Sequence, residues 1–127
     1  MAKIIIVGSE TETTEYMKNI LADHVLSIIT AKNGRECIEK AIHEKPSIVI
    51  TDVILPDMSV WDLFNKLRAF NENIRVILTS AIEISPERKE CLLRKGIYDY
   101  IMKPFGHDEL IDILGKHGVF NESVGEI

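Results

Sequence analysis

Apolar and β-branched residues gather in five short runs: Lys3–Val7, Val25–Thr30, Ser47–Thr51, Ile74–Thr79 and Ile97–Met102. Several are continuous rather than alternating, the pattern of strands covered on both faces. The segments between them carry helix punctuation. Ser9 stands three residues before Glu12, a capping-box spacing that predicts a helix from Ser9 as cap to about Ala22. Asn33 precedes Glu36 in the same way, and that helix should stop before Pro46. Ser59 precedes Asp62, with Val60, Leu63, Phe64 and Leu67 on one helical face. Ser85, Pro86 and Glu87 form an N-cap, a first-turn proline and an early acid, and Gly96 closes that helix. A last helix is expected from about His107 to Lys116.

The order is strand then helix, five times, with no internal repeat or low-complexity tract. It predicts an α/β fold: a single five-stranded parallel sheet with helices on both faces, wound right-handed. The domain is expected to occupy 1–117, with 118–127 a polar C-terminal tail. In such sheets ligands and chemistry lie beyond the carboxyl ends of the strands.

Composition narrows the classes. The chain has 127 residues, 46% hydrophobic and 28% charged, enough for one domain with a real core. A net charge of −5 without a basic block argues against nucleic-acid binding by this domain. No apolar run is long enough to cross a membrane, and the N-terminal run is too short for a signal-peptide core, so a cytoplasmic location is expected. Cys37 and Cys91 lie at helical spacing beside apolar residues and are expected to be buried free thiols. His24, His43, His107 and His117 have no ligand spacing, and no metal is assigned to them.

Chemistry enters at the strand ends. Strand one delivers Gly8 and Ser9, strand three Asp52, strand four Thr79 and Ser80, and strand five Lys103 followed by Pro104 and Phe105. An acid, a hydroxyl and an ammonium group therefore converge on one rim. A strand-end carboxylate is costly if desolvated and unpaired. Lys103 can neutralise Asp52, and Ser80 can bond it or a group attached to it.

The stretches SIVITDVILPDM, RVILTSA and YIMKPF resemble the receiver domains of two-component response regulators (CheY-like, with a flavodoxin-like (βα)5 fold), over about residues 3–117. The resemblance implies that Asp52 is a phosphoacceptor, attacking a phosphoryl group carried on a kinase histidine. It implies that Lys103 and Ser80 bind the phosphoryl oxygens, that Tyr100 is an aromatic switch and that Pro104 follows a cis bond. It further implies a sensor histidine kinase or phosphotransfer protein upstream and an effector protein or domain downstream. The module would signal rather than act as an enzyme. A homodimer through the fourth helix and fifth strand is left open. The physics agrees: an exposed carboxylate forms an acyl phosphate when developing charge is neutralised, and the product adds charge that a loop can follow.

The chain departs from the family in one consequential place. Receivers carry two adjacent acids after strand one, which hold Mg²⁺ together with the acceptor Asp and a backbone carbonyl two residues on. Here those positions are Gly8 and Ser9, leaving Asp52 and the Ile54 carbonyl, with Glu10 one place late. Mg²⁺ prefers carboxylate oxygens, so the pocket is poorly equipped for it. Val60 stands where receivers usually have Gly, and Arg75 where a Pro often precedes strand four. Two signalling readings follow: phosphorylation on Asp52, or a phosphorylation-independent pseudo-receiver that acts as a protein-interaction module. Trp61 lies off the main apolar stripe of its helix, as a partly packed ring or a partner contact.

A rival from another class is an FMN-binding flavodoxin-like redox protein, since GSETETTE resembles a flavodoxin phosphate loop. Gly8, Ser9, Thr11 and Thr14 would supply the cradle. Glu10, Glu12 and Glu15 would repel a phosphate dianion, and no pair of aromatics is present in the loops to sandwich a flavin.

Overall fold

The computed structural model describes residues 3–24 and 27–116. Within them strands and helices alternate. The strands are β1 (Lys3–Val7), β2 (Ser27–Ala31), β3 (Ile48–Asp52), β4 (Arg75–Ser80) and β5 (Asp99–Met102). The helices are α1 (Thr11–Leu21), α2 (Gly34–Glu44), α3 (Val60–Phe70), α4 (Pro86–Arg94) and α5 (His107–Lys116). The sheet is parallel throughout, in the order β2-β1-β3-β4-β5. The chain reverses its direction of travel across the sheet between β1 and β3, which sets the carboxyl ends of these two strands at a topological switch point.

Alternation along each strand sorts the side chains onto two faces. Ile4, Ile6, Ile48, Ile50, Ile77 and Ile101 pack with Met17, Leu21, Leu110 and Leu114 of α1 and α5. On the other face Ile5, Val7, Val49, Val76 and Leu78 pack with Cys37, Ala41, Leu63 and Leu67 of α2 and α3. The continuous apolar runs are thus explained by helices on both sides. Helix α4 differs, because none of its residues is buried. Its link to the sheet includes an ion pair between Lys89 Nζ and the buried Asp99 carboxylate at 3.2 Å.

The caps at Asn33, Ser59 and Ser85 each accept a hydrogen bond from the amide three residues on. Gly96 adopts φ 106°, a conformation that favours glycine, at the end of α4. Ser9 is not a cap. The N-cap of α1 is Glu10, without a side-chain capping bond, and the Thr14 hydroxyl instead donates to the Thr11 carbonyl at 3.0 Å. Strands β4 and β5 also begin later than their apolar runs. Ile97 is still held by the Leu92 carbonyl at the helix end, so β5 starts at Asp99. Ile74 is buried but bonds to the Asn71 carbonyl in a turn, and β4 starts at Arg75. Val25, His117 and the proposed tail at 118–127 lie outside the described residues.

Cys37 is buried, and burial pushes its thiol up to about 12. Cys91 is exposed, contrary to expectation, because it belongs to α4, whose charged sequence buries nothing. Trp61 is half-buried, edge-on to Phe64 with ring centroids 5.7 Å apart and with Lys95 Nζ 5.4 Å above its ring. No helix among the described residues is long and apolar enough to cross a membrane.

Candidate functional site

Strand register builds the site. Asp52, the last residue of β3, pairs with Thr79 of β4, which in turn pairs with Ile101 of β5. Two residues past Ile101, the Lys103 amide bonds to the Ser80 carbonyl at 2.8 Å, which holds the Lys103 backbone beside β4. The Lys103 ammonium then lies 2.5 Å from Asp52 Oδ1, with the two side chains 17% and 14% exposed. The Thr79 hydroxyl donates to the same Oδ1 at 2.9 Å. Among the described residues no hydrogen-bond donor reaches Oδ2. That oxygen lies against the Gly8 backbone, where an added Cβ would stand only 2.8 Å away. An open pocket of about 270 Å³ surrounds the carboxylate, walled by Ser9, Glu10, Val53, Ile54, Ser80 and Lys103 among others.

The convergence of an acid, a hydroxyl and an ammonium group at one rim is therefore present, but the hydroxyl on Asp52 belongs to Thr79. Ser80 is nearly buried, and its Oγ accepts from the Ile82 amide at 3.0 Å. Tyr100 is half-buried, and its hydroxyl donates to the Ile82 carbonyl at 2.5 Å. Both residues thus hold the loop after β4 at the same place. The Lys103–Pro104 bond is cis.

Asp57 was not anticipated. Its two carboxylate oxygens accept from the Gly34 and Arg35 amides, each at 2.9 Å, so the loop after β3 closes the N-terminus of α2. Desolvation is the largest single influence and opposes ionisation, but the Arg35 and Gly34 amide donors together outweigh it and hold the Asp57 carboxyl below its usual range. A Cβ at Gly34 would lie 2.5 Å from Met58 Sδ, so the Met58 side chain packs into the space this glycine leaves.

The donor set does not suit a divalent cation. Asp52 already holds an ammonium, Gly8 offers no side chain, and Ser9 and Glu10 are exposed. Ile54, the source of the expected carbonyl ligand, forms an isolated backbone bridge with Ser59. No group of three His, Cys, Asp or Glu that could hold a metal occurs among the described residues. Two of the four phosphate-cradle groups of the flavodoxin reading are committed elsewhere: the Gly8 amide bonds to the Ala31 carbonyl at 2.9 Å, and the Thr14 hydroxyl to its own helix.

A strand order of this kind, with an acid and a lysine paired at the switch point, defines a receiver-type α/β signalling domain. Residues 4–115 match the family model of the response regulator receiver domain, and the chain belongs to that family. It is 33% identical over 108 residues to the probable transcriptional regulatory protein TcrX of Mycobacterium tuberculosis, covering 85% of this chain and 46% of that protein. It is 30% identical to the chemotaxis protein CheY of Listeria monocytogenes, covering 91% of this chain and 98% of that one. The structure of Vibrio cholerae CheY4 superposes with a TM-score of 0.81 at 25% identity, covering 91% of this chain and 98% of that one. The chain spans about half the length of TcrX and of the transcriptional regulatory protein CusR of Escherichia coli.

Proposed function

We propose that the chain is the receiver module of a two-component phosphorelay and accepts a phosphoryl group on Asp52. The supporting observation is the asymmetry of that carboxylate: Lys103 and Thr79 both hold Oδ1, and no donor among the described residues holds Oδ2, in a side chain that lines the pocket. In this reading Oδ2 attacks phosphorus, the bond from phosphorus to the donor histidine nitrogen breaks, and the electron pair stays on the imidazole. Lys103 neutralises the charge that develops. The new oxygens accept from the Ser80 hydroxyl, and the Ile82 amide that donates to its Oγ is drawn along with it. A shift of the loop after β4 then releases the Tyr100 hydroxyl from the Ile82 carbonyl and changes the surface of α4 and β5. The upstream partner is a sensor histidine kinase or phosphotransfer protein, and the downstream partner an effector protein or domain.

Gly8 and Ser9 in place of acids favour a second reading, in which the domain signals by binding alone. Incubation with acetyl phosphate, followed by intact-mass measurement, separates the two. The phosphoacceptor reading predicts one added phosphoryl group, absent in Asp52→Asn. A wild-type mass unchanged under conditions that label an ordinary receiver sinks it.

A further inference from the structure

We infer that the Asp52 pocket operates without a divalent metal ion, the Lys103 ammonium supplying the neutralising charge and the strand-one end supplying no acid pair to hold a cation. The role in phosphoryl transfer rests on the phosphoacceptor reading above; the statement about metal affinity does not.

Oδ1 is already shared by the ammonium at 2.5 Å and the hydroxyl at 2.9 Å. Mg²⁺ needs near-octahedral oxygen donors at about 2.0–2.1 Å; at Oδ2 it would find a single carboxylate oxygen, with an ammonium already on the other oxygen of the same group and no acid from Gly8 or Ser9 beside it. Position 8 supplies no second carboxylate, because Gly8 has no side chain and the Asp52 Oδ2 atom stands where its Cβ would be crowded, at 2.8 Å. The remaining acid on the pocket wall is Glu10, which is solvent-exposed. A pocket crowded with acids needs a cation before a phosphoryl dianion can approach. This one has a single sheltered carboxylate, and the lysine already neutralises it.

Thr79 is the positioning residue of the arrangement. It is 1% exposed and fixed in register opposite Asp52. Its hydroxyl turns Oδ1 inward and leaves Oδ2 as the attacking atom. With acetyl phosphate the Oδ2–P bond forms, the P–O bond to the acetyl group breaks, and acetate leaves with the electron pair. Neither an oxidant nor a metal is needed for balance.

Two measurements on the full chain test this. Free Mn²⁺ is followed by electron paramagnetic resonance as protein is titrated in, for wild type and Asp52→Asn. The expected result is no Asp52-dependent binding up to millimolar metal. Saturable binding that Asp52→Asn removes overturns the inference, whatever the phosphorylation result. Acetyl phosphate labelling is then timed by intact mass in EDTA and in Mg²⁺, for wild type, Thr79→Val and Thr79→Ser. The inference expects equal rates in both buffers, a loss of about tenfold or more in Thr79→Val, and recovery in Thr79→Ser. Labelling that collapses in EDTA, or a folded Thr79→Val variant that labels like wild type, overturns it. Absence of label in every condition refutes the phosphoacceptor reading instead, and the Mn²⁺ titration alone then decides the metal claim.

Discussion

Replacing Lys103 by methionine and Asp52 by asparagine, singly and together, measures how strongly the two charges of the pocket hold each other. The pair stands at 2.5 Å with both side chains mostly sheltered from water. Coulomb's law at that separation gives about 7 kcal/mol at an effective dielectric of 20 and about 2 kcal/mol in bulk water. Desolvation of the two ions takes back much of the larger value, so a coupling of about 2 kcal/mol is expected. The single variants should be unequal. Lys103→Met strands a carboxylate between the Gly8 backbone and Thr79, at a cost of about 3 kcal/mol. Asp52→Asn keeps an acceptor for the Thr79 hydroxyl and leaves an ammonium on a flexible stem that swings into solvent, costing about 1 kcal/mol or less. Urea unfolding followed by far-UV circular dichroism reads all four proteins, provided the denaturant slope is unchanged. A coupling below about 0.5 kcal/mol, the range of exposed pairs, would refute the reasoning. So would a greater loss in Asp52→Asn than in Lys103→Met.

Further outcomes follow from neighbouring groups. Gly8→Ala puts a Cβ 2.8 Å from Asp52 Oδ2, so thermal unfolding should show a loss of about 1–3 kcal/mol, whereas Ser9→Ala should be close to neutral. Of the two cysteines, a thiol reagent should titrate Cys91 alone in the native protein and Cys37 only after unfolding. The Asp57 carboxyl is depressed in the folded state from its ordinary 3.8. Its stabilising contribution is therefore present above that value and lost as pH falls through the lower folded one. Asp57→Asn should remove this part of the acid sensitivity, seen as a flatter dependence of melting temperature on pH below about 4.

The sequence was most legible where burial on both faces left no alternative. Runs such as Ile4–Val7 and Ile48–Ile50 carry no period-2 alternation because helices cover both sides, and their order with the caps at Asn33, Ser59 and Ser85 gave the topology. Boundaries slipped where an apolar residue is buried outside the hydrogen-bond ladder, as with Ile74 and Ile97. Ser9 misled because a capping box is a spacing, and the local path placed Glu10 at the cap instead. The pairing of Asp52 with Lys103 was visible because one ends β3 and the other directly follows β5. The Thr79 contact was not, since choosing between adjacent hydroxyls at 79 and 80 depends on β3–β4 register, which one residue of slip reverses. Asp57 was hidden for a different reason: its partners are backbone amides at Gly34 and Arg35, and amides leave no mark in a sequence.

In the proposed reaction one oxygen of Asp52 takes the phosphoryl group while the other stays pinned by Lys103 and Thr79. Borohydride reduction after incubation with acetyl phosphate converts an aspartyl phosphate to homoserine, and peptide mass mapping then locates it. Homoserine at position 52, and at no other acid, is the predicted result. Modification of Glu10 or Asp57 in its place, or an intact Asp52 in a chain that has gained phosphoryl mass, would contradict the account.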